Sequence, residues 1–138
     1  MYKISLPLFC ALIPTLAAHA ADNAQLIRKS TDIVSNMAST NFSGRVRHES
    51  LLPPHDGSPY SVSSVTFEPG ARTFWHSHPL GQNMIVTSGI GLTDTADGNV
   101  YIIKAGDTIW CPPNVKHWHG AMPNRAMTHM VVTNFDKD

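Results

Sequence analysis

Cysteine is almost missing from this chain: of 138 residues only Cys10 and Cys111 carry a thiol. Cys10 falls in an N-terminal leader, so removal of that leader leaves Cys111 alone and excludes an intrachain disulfide. Charge is scarce too, at 14% of residues, with ten basic side chains against ten acidic ones and no basic run. That balance excludes the electrostatic footprint of a nucleic-acid or anionic-membrane partner. No long hydrophobic run occurs either. The stretch Ile4–Ala18 is apolar but interrupted by Ser5, Pro7, Pro14 and Thr15, too short and broken for stable membrane insertion. Repeats and low-complexity tracts are also lacking.

The leader itself has the form of a Sec-type signal peptide. Met1-Tyr2-Lys3 is a weakly basic start, the apolar stretch follows, and Ala18-His19-Ala20 fits small-x-small cleavage after Ala20. Phe9 precedes Cys10, which does not suit a lipoprotein signal. The expectation is a secreted or periplasmic protein. Removing residues 1–20 leaves 118, enough for one domain with a real core. Without a disulfide, its stability must come from a closed sheet, a bound metal or a dimer. Cys111 sits among Trp110, Pro112 and Pro113 and is read as a buried apolar residue rather than a nucleophile.

Residues 21–42 carry Leu26, Ile27, Ile33, Val34 and Met37 among polar residues, with Ser30 or Thr31 as a cap. They are read as an arm with a short helix. Residues 43–138 form the main domain. From Gly44 the pattern becomes short β-type runs punctuated by Pro53-Pro54, Pro69-Gly70, Asp97-Gly98 and Gly106-Asp107. Asp97-Gly98 is a strong hairpin signal. Eight or nine short strands at this spacing suggest an all-β sandwich or small barrel.

Within that pattern stand His76-Ser77-His78, Gln82 and His117-Trp118-His119. Residues i and i+2 of a strand point to one face, so each His-x-His pair can face the interior while Trp75, Ser77 and Trp118 face away. His76, His78, Gln82 and His117 together offer three imidazole nitrogens and one amide oxygen, with positions left open for water or substrate. Such openness marks a catalytic metal site. The donor set suits Mn, Fe, Co, Ni or Zn. Gln82 is neutral where a glutamate would cancel one charge, which strengthens a bound ion as a Lewis acid. Phe74, Met84 and Val86 are read as pocket wall or core, Arg72 as a structural ion pair, and His48 and His55 as surface or loop residues. Trp75 and Trp118 are expected between sheets or at a dimer interface.

Gly70-(x5)-His76-x-His78-(x3)-Gln82-(x6)-Gly89 resembles the first cupin motif, with glutamine for the usual glutamate. Gly106-(x5)-Pro112-x-Asn114-(x2)-His117 resembles the second, with asparagine for the usual glycine. The strings Phe67–Thr73, His76–Gln82, Lys116–Ala121 and Ala126–His129 are similar to a subgroup of small single-domain cupins that includes the manganese-dependent bacterial hydroxynitrile lyases. The resemblance implies a double-stranded β-helix, or jelly-roll barrel, usually a homodimer, with one divalent metal, manganese or iron first. It also places His119 and His129 in the pocket beside the metal, in proton transfer or substrate hydrogen bonding. The activity so implied is a metal-dependent lyase cleaving a small-molecule cyanohydrin. A metal-dependent oxygenase and a non-catalytic small-molecule or metal-binding barrel are the alternatives.

Overall fold

A computed structural model describes residues 25–38, 40–55 and 57–135; the expected signal peptide lies outside them. Ten antiparallel strands run along the described chain: β1 (Val34–Ala38), β2 (Phe42–Ser43), β3 (Val46–Leu52), β4 (Tyr60–Phe67), β5 (Arg72–Thr73), β6 (Gln82–Asp94), β7 (Val100–Lys104), β8 (Thr108–Cys111), β9 (Trp118–Ala121) and β10 (Met127–Asn134). Their lateral order is β1-β3-β4-β10-β6-β9-β5-β2, with β7 and β8 also paired to β6.

The 13-residue β6 joins the two layers of the barrel. Its first half pairs with β10 and β8, its second half with β7 and β9. Sequence patterning suggests two strands here, Gln82–Thr87 and Gly91–Thr95, because Ser88-Gly89 breaks the alternation. The chain instead turns from one layer to the other there without ending the strand. Gly89 takes φ 76°, and a Cβ on it would meet the Ala126 backbone carbonyl, so only glycine fits the bend. The Asp97-Gly98 hairpin forms as expected, with Asp94 opposite Val100.

Alternation packs the interior. In β10 the buried set is Met127, His129, Val131 and Thr133, and in β4 it is Ser63, Val65 and Phe67. Of these, Val65, Phe67, Met127 and Val131 join Val46, Ala71, Met84, Val86, Ile103, Cys111 and Ala121 in one apolar core, while Ser63, His129 and Thr133 line a cavity. Val65 and Val131 of this core border that cavity.

The helical arm expected over residues 21–42 is reduced, among the described residues, to a 3-10 turn at Ser30–Asp32. The segment after it is β1, which pairs with β3 from Val34↔Ser50 to Ala38↔Val46. Ile33 and Val34 are β-branched, and Ser35 and Asn36 are weak helix formers. The open edge of β3 offers backbone partners that a lone short helix lacks.

Candidate metal centre

His76 and His78 reach the interior by a route other than strand alternation. β5 ends at Thr73, and His76 makes only an isolated bridge to His117, through His76 N–H to His117 O at 3.0 Å and the reverse bond at 2.9 Å. His78 lies in the turn that follows, where its carbonyl accepts from Gly81 at 3.2 Å and Asn114 at 2.9 Å. Gly81 is required in that turn. It takes φ 75°, and a Cβ on it would press on the Trp110 ring and stand 2.7 Å from the Cys111 carbonyl oxygen. Asn114, in the position where the motif usually has glycine, adopts φ 61°, which asparagine tolerates better than most residues. Two non-adjacent turns are thereby held together, and they present the histidines as a group.

The ring centroids of His76 and His117 lie 4.4 Å apart, those of His76 and His78 5.1 Å, and those of His78 and His117 5.6 Å. His76 Nδ1 is 2.8 Å from the Phe74 carbonyl oxygen, and His117 Nδ1 is 3.0 Å from that of Val115. A Nδ1–H donated to a carbonyl leaves Nε2 as the free lone pair, the arrangement that orients metal-binding histidines. His117 Nε2 and His78 Nε2 are buried with no protein partner. Gln82 opens β6, its amide N–H2 donating to Thr133 Oγ1 at 3.0 Å, so that Oε1 is left buried and unpartnered. A buried acceptor without a partner costs free energy, and here His78, Gln82 and His117 each carry one. The residues present therefore fit a divalent ion.

His119 and His129 complete the group. His119 is 3% exposed and its backbone N–H donates to Thr73 Oγ1 at 3.1 Å. Its ring lies 4.8 Å from that of His129 and 5.3 Å from that of His76. The three residues whose ring nitrogens lie within 4.8 Å of one another are His76, His117 and His119. His119 thus stands beside the expected ligands themselves. His129 rests against Phe67 at 5.2 Å between centroids, with both ring nitrogens buried and unpartnered. Burial lowers the pKa of His129 to about 4. Burial, and then the neighbouring His76 and His117, lower that of His78 to about 4. His119 is held well below its ordinary value by burial and by His129. His117 is lowered by burial, against a smaller opposing effect of its bond to Val115. These imidazoles are neutral at pH 7, the form that ligates metals and accepts protons.

A cavity of about 640 Å³ opens over the histidines, within the usual range for small-molecule sites. His76, His78, Gln82, His119 and His129 line it, along with Phe42, Phe74 and Trp75. Three readings of the sequence change here. His48 is a cavity residue rather than a surface one, because it pairs with Val65 on the inward row of the sheet. Trp75 also lines the cavity, since the chain has left strand geometry before reaching it. Arg72 lies over the Trp118 ring at 5.4 Å, a cation–π contact in place of the expected ion pair. His55 sits in a turn, bridged to Ser58. Cys111 is buried, and burial raises its thiol pKa to about 11, which leaves it unreactive.

An all-β barrel of this topology with a histidine-lined cavity defines the class of protein. The cupin domain family model matches residues 63–133, and the chain belongs to the cupin family. It is 50% identical over 91 residues to an (R)-mandelonitrile lyase from Granulicella tundricola, covering 66% of this chain and 70% of that one. Among solved structures, a cupin-like protein from Thermotoga maritima is 42% identical, with a TM-score of 0.69 over 71% of this chain and 75% of the other. A polyketide cyclase from Streptomyces resistomycificus matches at a TM-score of 0.70 and 18% identity, over 82% and 81% of the two chains; that likeness is one of fold.

Proposed function

We propose that this protein is a metal-dependent hydroxynitrile lyase, which cleaves a cyanohydrin to an aldehyde and hydrogen cyanide. The observation that carries the reading is the set of buried, unpartnered nitrogen and oxygen atoms on His78, Gln82, His119 and His129, which line one cavity, with His117 packed against His78 and His119. The 50% identity to a mandelonitrile lyase supports it. His76, His78, Gln82 and His117 would hold one divalent ion, manganese first. Such an ion supplies Lewis acidity that makes a bound hydroxyl easier to deprotonate. His129, neutral and unpartnered, accepts the hydroxyl proton. As the carbon–carbon bond to the nitrile breaks, its electron pair leaves with cyanide, and the proton is handed on to give hydrogen cyanide. His119, 4.8 Å from His129 between ring centroids, is the neighbouring imidazole to which that proton passes. Gln82, being neutral, would cancel none of the charge of such an ion.

The direct assay is benzaldehyde release from mandelonitrile by the manganese-loaded protein. Release well above that of His76→Ala is expected; equal rates would refute the lyase.

Assembly and location belong to the same reading. Two copies pair through exposed apolar strand residues, of which Val100, Tyr101 and Ile102 on β7 are 55%, 48% and 67% exposed. Light scattering should give twice the chain mass, and a monomer would contradict the pairing. No helix among the described residues is long and apolar enough to cross a membrane. The protein is exported and its mature form begins at Ala21. The intact mass of the periplasmic species tests this, and a species retaining Met1 in the cytosol would exclude it.

A further inference from the structure

His48 is the one cavity histidine that the proposed reaction does not use. Asn36 of β1 lies opposite His48 of β3, His48 opposite Val65 of β4, and Val65 opposite His129 of β10. Directly opposed residues of antiparallel strands project to the same face, and all four line the cavity. The row therefore forms a floor running from the metal centre outward. His129 is its polar inner end, Val65 its apolar middle, and His48 with Asn36 a second polar end. Two strand spacings, about 10 Å, separate the backbones of His48 and His129. That is the span of one aromatic ring with a polar group at each end. Phe42, Phe74 and Trp75 furnish aromatic surface on the same cavity, suited to the faces of such a ring.

We propose that His48, with Asn36 beside it, is a distal hydrogen-bonding subsite. The substrate is then an aryl compound carrying a hydroxyl or similar polar group at the ring position furthest from its reacting carbon. This deepens the lyase reading and rests on it for which end of the substrate faces the metal. An unsubstituted ring desolvates His48 and offers it no partner, whereas a phenolic hydroxyl can donate to or accept from the imidazole. One such bond is worth about tenfold in affinity.

Calorimetric titration of the metal-loaded protein with 4-hydroxybenzaldehyde and with benzaldehyde tests the subsite. The parent should bind the hydroxylated aldehyde about tenfold more tightly. His48→Leu should abolish that preference, weakening the hydroxylated aldehyde while benzaldehyde, no longer desolvating an imidazole, binds at least as tightly as in the parent, and His48→Gln, which retains a donor and an acceptor, should keep most of it. Equal affinity in the parent, failure of either aldehyde to bind, or a preference that survives His48→Leu overturns the proposal. Cleavage of mandelonitrile and 4-hydroxymandelonitrile by the same proteins separates the two failures. A binding preference with no cyanide released from either nitrile sinks the lyase and leaves the subsite standing. Cyanide release from both, with equal aldehyde affinities, sinks the subsite and leaves the lyase.

Discussion

Replacing His117 by alanine is expected to strip the metal from the protein and to lower mandelonitrile cleavage by about a thousandfold or more. His117 is fully buried, its Nδ1 is fixed by the Val115 carbonyl, and its Nε2 has no other protein partner. His119→Ala should behave differently. His119 is close enough to be mistaken for a ligand, but its ring also packs on that of His129, 4.8 Å between centroids, and in the proposed roles removing it should leave metal content intact while slowing turnover. Elemental analysis of the two variants decides between them. Metal retained by His117→Ala, or lost equally from both, would break the assignment of roles.

The second large effect is expected at His129. His129→Phe keeps a ring against Phe67 and removes both nitrogens, so activity should fall by about a hundred- to ten-thousandfold with metal content unchanged. Stability provides an independent readout. The folded pKa of His129 lies at about 4, below its ordinary 6.5, so between these values the unfolded chain binds more protons than the folded one. The contribution to stability is complete above pH 6.5 and is lost as pH falls toward 4. For His129 the loss is on the order of 3 kcal/mol, and His78, depressed to about 4, adds in the same direction. Denaturant melts of the metal-free proteins should show His129→Phe less acid-sensitive than the parent across that window. It should also be no less stable at pH 7, since neither nitrogen makes a hydrogen bond to protein. Full activity would remove His129 from the chemistry, and an unchanged acid profile would show that its imidazole is not held neutral by burial.

A histidine-rich candidate site was legible because its members carry local signals: two His-x-His pairs, a glutamine after Pro79-Leu80-Gly81, and turn residues that bracket them, and the structure brings His76, His117 and His119 together. The placement of His119 and His129 followed from motif resemblance, and the alternation of β10 then turns His129 inward. What escaped depends on lateral pairing, which no short window of sequence contains. His48 stands in an unremarkable run, Val46–Leu52, and becomes a cavity residue only through its register with Val65 and Asn36. The strand at Val34–Ala38 likewise exists because β3 offers an edge. His76 and His78 were assigned to the right side of the chain by strand parity, yet a turn brings them there. Parity misplaced Trp75 for the same reason.

The account stands or falls on whether those orphaned atoms hold a catalytic metal. Chelator treatment followed by stepwise manganese addition, with bound metal and benzaldehyde release measured together, tests this most directly. Activity should vanish on stripping and return in proportion to bound metal, reaching its plateau at one ion per chain. Cleavage that persists in the stripped protein, or metal uptake that restores none, would contradict it.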